Sequence, residues 1–160
     1  MLSIQIFDIK DFMSHLLSKD TFDHFYFIEA SIKMGVSYQI QGRINEGFYD
    51  TSVEQTLNRE FCYWKEIRHR IFDIIKGKRL PLSCKIVLGL SKQSISYLIA
   101  HNNSSFREED IEGIYINILY DPKNLLITTG ISYKNFSLDK SLEYAFDEYL
   151  AKFLKEKAVI

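Results

Sequence analysis

The chain has 160 residues, a formal net charge of −1 and 46% hydrophobic residues, among them 12 Phe and 10 Tyr. This length fits one domain with a substantial core, which argues against intrinsic disorder, and the charge argues against a protein that coats nucleic acid through its overall charge. No apolar run approaches the roughly 20 residues that cross a bilayer, and no secretory leader pattern precedes the first strand, so we expect a cytoplasmic protein without a membrane partner.

The first part of the chain predicts a strand, a helix and a hairpin. Residues 2–7 alternate as a strand, and Asp8 stands before a helical pattern that runs to about Ser18. Two further strands follow, at about 25–33 and 36–41, on either side of a Met-Gly turn. Their alternation indicates an antiparallel sheet with one buried side and one side in water.

The longest helical pattern covers residues 53–76. Its apolar stripe has spacings of three and four positions and consists of Leu57, Phe61, Trp64, Ile67, Ile71 and Ile74. Gly77 is the expected C-cap, and Pro81 prevents the helix from continuing.

The second part of the chain repeats the order of the first. A strand over 84–90 leads to Ser91, which is expected to cap a helix that ends near Ala100. A hairpin follows, in which 113–120 pairs with 125–132 across an Asp-Pro-Lys-Asn turn. A C-terminal helix is predicted over about 139–155.

These patterns predict two copies of one strand–helix–hairpin unit, at about 1–52 and 84–140. Asp8 and Ser91 hold the same place in the two copies, as do Gly42 and Gly130 at the end of each hairpin. The predicted fold class is therefore α+β, with internally duplicated units that form an antiparallel sheet covered by helices. Residues 1–160 form one domain in this prediction, because each half alone is too small for a stable core.

Three stretches of the chain resemble an uncharacterised family of short proteins from anaerobic Gram-positive bacteria. They are residues 17–23, residues 75–82 and the segment from Thr128 to Lys140. The resemblance covers nearly the full length. It implies no activity, because the family is itself a domain of unknown function.

A second resemblance concerns architecture. The strand and helix of Met1–Leu17, and the strands within Gly113–Lys140 including a last one over Tyr133–Leu138, resemble one domain of a DNA sliding clamp. The chain departs from clamps in its helix between the halves and in its long C-terminal helix. The alternatives to a clamp-like architecture are a duplicated fold similar to that of the TATA-binding protein and an unrelated α+β fold.

The clamp resemblance implies a binding module that contacts nucleic acid or a replication or repair protein, and it implies association of several copies as a homo-oligomer. In clamps, cationic side chains on the two equivalent helices face the DNA. Here the corresponding positions are polar and only mildly basic: Lys10, Ser14, His15, Lys19, Lys92, Gln93, Ser96 and His101. Strong non-specific DNA binding is therefore not expected from these helices.

No motif in the sequence indicates catalytic, cofactor or metal chemistry. The four histidines are scattered, no His or Cys pair has metal-ligand spacing, and the chain contains no Walker loop, dinucleotide fingerprint or serine-nucleophile elbow. Cys62 and Cys84 are expected as small buried thiols in a reducing compartment, and a disulfide between them is the alternative. The prediction leans toward a non-enzymatic protein.

The alternative is an enzyme that acts on nucleic acid or a small molecule through carboxylates that converge only in the fold. The candidates are Asp20, Asp23, Glu29, Glu108, Glu109, Asp110 and Glu112. The simpler interpretation of these residues is solvated loop charge.

One segment concentrates positive charge. The candidates for contact with phosphate or with an acidic partner are Lys65, Arg68, Arg70, Lys76, Lys78 and Arg79. The structural alternative is that cations near the end of the 53–76 helix interact favourably with its macrodipole.

Overall fold

The computed structural model describes residues 1–49 and 58–160, and its centre is one six-stranded antiparallel sheet. The strands are β1 (Ser3–Gln5), β2 (Tyr26–Lys33), β3 (Ser37–Gln41), β4 (Ser83–Gly89), β5 (Ile111–Tyr120) and β6 (Leu125–Tyr133). Their order across the sheet is β1-β6-β5-β4-β2-β3, and every neighbouring pair is antiparallel.

Four α-helices accompany the sheet in the described part of the chain, and the α+β class is confirmed. They are α1 (Ile9–Leu17), α2 (Trp64–Ile75), α3 (Lys92–His101) and α4 (Ser141–Glu156). None of these helices has the length and apolar character that a membrane crossing requires.

The helices cover one face of the sheet. Every second residue of β5 is buried, as Ile114, Ile116 and Ile118 show, because side chains alternate between the two faces of a strand. Trp64 of α2 packs its ring 5.6 Å from that of Phe27 in β2, and α4 packs against β6. Each such buried aliphatic or aromatic side chain contributes about 1.5–3 kcal/mol of transfer free energy.

The other face of the sheet is predominantly polar. Glu29, Val87 and Asn117 lie opposite one another on three adjacent strands, so they share this face. Lys85, two residues before Val87, lies on the same side and is exposed. One buried and one polar face is the arrangement that the alternating strands predict.

The predicted caps are present at both strand-to-helix junctions. Asp8 Oδ1 accepts a hydrogen bond from the Asp11 amide at 3.0 Å, and Ser91 Oγ accepts one from the Ser94 amide at 3.2 Å. These bonds satisfy amides that have no partner inside a helix. The predicted turn after β5 is also present, since Asp121 Oδ1 accepts from the amides of Lys123 and Asn124.

The helix predicted over 53–76 is corrected by the structure. Residues 50–57 lie outside the described part, and the α-helix begins only at Trp64. Before it the chain is extended, with bridges from Phe61 to Arg43 and from Tyr63 to Tyr26. Phe61 stands at helical spacing from Trp64 but belongs to this extended segment.

The start of α2 is set by a carboxylate. Glu66 Oε2 accepts the amide hydrogen of Tyr63 at 2.6 Å, which caps the first turn. Arg59 donates to the same carboxylate at 2.9 Å, and this hydrogen bond lowers the pKa of Glu66.

The end of the chain differs in detail from the prediction. The C-terminal helix runs over Ser141–Glu156 rather than 139–155, and the strand predicted over Tyr133–Leu138 is absent, because β6 ends at Tyr133 and residues 134–140 contain no strand.

Both halves follow the order strand, helix, strand, strand, but their pairing differs. β4 pairs with β5 of its own half, whereas β1 pairs with β6 of the other half. Gly42 and Gly130 differ as well. A Cβ on Gly42 would lie 1.8 Å from the carbonyl oxygen of Phe27, while the same position at Gly130 is open. The internal duplication and the clamp-like architecture stay predictions.

The two cysteines are free thiols, and burial raises the pKa of Cys62 to about 11 and that of Cys84 to about 12. Because only the thiolate is nucleophilic, we expect both thiols to react with Ellman's reagent much more slowly in native protein at pH 8 than in urea-unfolded protein. The free energy of unfolding should keep its full value below pH 9.0, the thiol pKa of the unfolded chain. It should fall as the pH rises above 9.0, because the unfolded chain then loses its thiol protons while the folded chain still holds them. Rapid labelling of native Cys84 would contradict this account.

Candidate functional site

The six predicted contact residues do not form one face. Lys65, Arg68 and Arg70 lie on α2, Lys76 caps its C-terminal end, and Lys78 and Arg79 follow in the loop to β4. At 3.6 residues per turn, Lys65 and Arg70 are about 140° apart around the helix axis. A single phosphate strand running along α2 would therefore not contact both.

Arg68 is occupied by a contact inside the protein. Its Nε and Nη2 donate to the two carboxylate oxygens of Asp23 at 2.8 and 3.0 Å, and its Nη1 donates to the carbonyl oxygen of Leu17 at 3.4 Å. The side chains of Arg68 and Asp23 are only 22% and 12% exposed. This two-pronged ion pair gives Arg68 a structural role. Arg68 is therefore no longer a candidate for contact with phosphate or with an acidic partner.

Two more of the cations have local partners on the surface. The Nζ atom of Lys65 lies 6.0 Å from the ring centroid of Tyr63, at the outer limit of a cation–π contact. Lys76 Nζ lies 3.0 Å from Asp73 Oδ1. Both contacts are exposed and contribute little to stability.

Lys78 and Arg79 share one end of the sheet with exposed aliphatic side chains. The Leu82 amide donates to the carbonyl oxygen of Lys33 at 2.8 Å, which joins the loop after α2 to the end of β2. Val36, in the turn that follows β2, is 65% exposed, and Leu80 and Leu82 are 68% and 70% exposed. We name this region the loop surface, and it consists of Lys33, Val36, Lys76, Lys78, Arg79, Leu80 and Leu82.

Gly77 gives the loop surface its geometry. Its φ of 147° lies in the range that L side chains rarely adopt, so a glycine is needed where the chain turns away from α2. The expectation that Gly77 ends the helix is confirmed to within one residue, because the C-cap is Lys76.

Lys76, Lys78 and Arg79 of the loop surface are among the contact residues predicted from the sequence, but its apolar members are not. Leu80 and Leu82 flank Pro81 and belong to no periodic segment. Their position outside any periodic segment, close in sequence to three cations, predicts that both leucine side chains are exposed. Lys33 and Val36 join them only because β2 pairs with β4.

The candidate carboxylates occupy separate places. Glu108, Glu109 and Glu112 line a surface depression of about 540 Å³ together with the cations Lys92, Arg107 and Lys134. Asp23 is paired with Arg68, Asp20 lies in a groove next to α4, and Glu29 lies on the polar face of the sheet. Within the described ranges, no group of three or more His, Cys, Asp or Glu side chains is arranged to hold a metal ion.

The helix positions implied by the clamp resemblance are only partly at the surface. His15 is buried, and its Nδ1 lies 2.8 Å from Thr21 Oγ1, so it is part of the packing of α1. Lys10, Lys19 and Lys92 are exposed.

The model of a family of unknown function (DUF5721) matches residues 15–160 of the chain. No curated protein and no solved structure matches the chain significantly.

The roles of Arg68 and Arg70 are separable by mutation. Arg68→Ala leaves the Asp23 carboxylate without its partner in a largely buried site, and we expect the free energy of unfolding to fall by about 2–4 kcal/mol. Arg70→Ala, at an exposed position of the same helix, should change it by less than about 0.5 kcal/mol. Urea unfolding followed by tryptophan fluorescence measures both.

The double variant Asp23→Ala/Arg68→Ala is the control. It should lose less stability than the sum of its single variants, because it removes both charges of one pair. Additive losses would show that Arg68 does not act through Asp23.

Proposed function

The chain belongs to this family of unknown function, and we propose that it is a non-enzymatic binding module whose loop surface takes an acidic segment of a partner protein. The observation that carries the proposal is the mixture at the loop surface, where Lys33, Lys78 and Arg79 stand beside Leu80 and Leu82. The two free thiols fit the reducing cytoplasm as its location.

The exposed aliphatic side chains favour a protein over a nucleic acid. A phosphate backbone is bound by cations along its path, and it gains nothing from leucine side chains that are more than two-thirds exposed. A peptide with acidic and apolar residues contacts both kinds of side chain and removes the leucines from water.

The charge distribution supports the same partner. The whole chain has a formal net charge of −1, so the cations at the loop surface form a local positive region on a protein without excess positive charge. Such a region attracts an acidic segment to one place on the protein, and added salt weakens this attraction by screening the charges. The resemblance to sliding-clamp domains makes an acidic segment of a replication or repair protein the first natural partner to test.

A fluorescent peptide of alternating Glu and Leu tests the proposal by anisotropy at low salt. We expect saturable binding, and a loss of about tenfold in affinity for Lys78→Ser/Arg79→Ser and for Leu80→Ser/Leu82→Ser. Arg70→Ser is the matched control, since it removes an exposed cation that lies on α2, outside the loop surface, and should leave the affinity unchanged.

Two control ligands separate the alternatives. A peptide of alternating Glu and Ser has the same charge without apolar side chains and should bind more weakly. If single-stranded oligothymidine binds more tightly than the Glu-Leu peptide, and only the cation variants weaken it, the surface is a nucleic-acid interface. Absence of binding by all three ligands would contradict the proposal.

A further inference from the structure

A groove made of two adjoining depressions lies at the end of the sheet opposite the loop surface. It runs between α3, α4 and the segment that joins α1 to β2. The depressions have volumes of about 430 and 230 Å³ and adjoin each other, since both have Ser94 and Tyr149 in their walls. We name them the wide and the narrow part of the groove. Together they fall in the size range of small-molecule sites.

The wide part of the groove suits a planar ring. Leu90 and Leu98 are buried apolar residues in its wall, and Tyr97 and Tyr149 contribute aromatic rings. Offset stacking on such rings binds planar groups.

The polar groups of the wide part can form hydrogen bonds with the edge of a planar ligand ring. Ser94 Oγ accepts a hydrogen bond from Ser91 Oγ at 3.1 Å, so the hydroxyl hydrogen of Ser94 is available to a ligand. Gln93 adds an amide that both donates and accepts. Burial raises the pKa of Tyr149, so its hydroxyl stays a neutral donor at physiological pH.

The narrow part of the groove suits a hydroxylated anion. Its apolar wall is formed by Phe25 and Phe153, whose rings pack edge to face at 5.4 Å. Its lining also includes Lys157 and His24, whose side chains can donate to an anion, and Asp20, whose carboxylate can accept from hydroxyl groups.

We propose that this groove binds a nucleoside monophosphate, with the base in the wide part, the phosphate at Lys157 and His24, and the sugar hydroxyls near Asp20. Inorganic phosphate alone would leave the aromatic wall without a partner. A simple aromatic acid would leave Asp20 beside an anion with no donor between them. A nucleoside monophosphate supplies a ring, hydroxyl donors and an anion, so it offers a partner to each kind of side chain that lines the groove.

Isothermal titration with AMP and UMP as probes tests the assignment. We expect saturable binding of one molecule per chain by at least one of them, about tenfold weaker binding of the matching nucleoside and no saturation by inorganic phosphate in the same range. Lys157→Ala should weaken the nucleotide about tenfold and leave the nucleoside unchanged. Lys152→Ala, which removes an exposed cation from α4, the helix that Lys157 caps, is the matched control and should have no effect.

Tyr149→Phe tests the wide part, because it keeps the ring and removes only the hydroxyl, and it should weaken nucleoside and nucleotide alike. Leu80→Ser/Leu82→Ser, at the loop surface, should change neither. Failure of both AMP and UMP to saturate would overturn the proposal. Equal affinity for nucleotide and nucleoside, or equal effects of Lys157→Ala and Lys152→Ala, would overturn the phosphate position.

Discussion

The contacts that join α2 to the end of α1 determine where α2 lies, and the loop surface extends from α2. Trp64 Nε1 donates to the carbonyl oxygen of Leu16 at 2.7 Å, and Arg68 donates to Asp23 and to the carbonyl oxygen of Leu17. These two carbonyls belong to the last turn of α1, where a helix has no internal donors for them. The same side chains therefore complete one helix and orient the other.

This anchoring places two chemically different regions at opposite ends of one sheet. β2 begins at Tyr26, beside the aromatic groove, and ends at Lys33, within the loop surface. The sheet between them is held by the packed helical face, so a ligand at one end is separated from a partner at the other by a rigid layer. One region is basic and aliphatic, and the other is aromatic and hydroxyl-bearing. The two proposals accordingly depend on different residues and fail independently.

Local patterns in the sequence predicted much of this fold, because alternation, caps and turns act over a few residues. The alternation around Ile116, the cap at Ser91 and the turn at Asp121 are examples. Long-range partners could not be predicted in this way. No spacing rule connects Arg68 with Asp23, 45 positions away, or assigns β1 to β6 rather than β2. The same limit applies to part of the loop surface, since Lys33 and Val36 join residues 76–82 only through strand pairing.

The central claim is that a partner binds at the loop surface, and mapping by amide NMR tests it most directly. Adding the unlabelled Glu-Leu peptide to ¹⁵N-labelled protein should shift amide signals over residues 33–36 and 76–82 and leave those of α3 and α4 in place. Shifts confined to the polar face of the sheet, or to the exposed side of α2 around Arg70, would contradict the account.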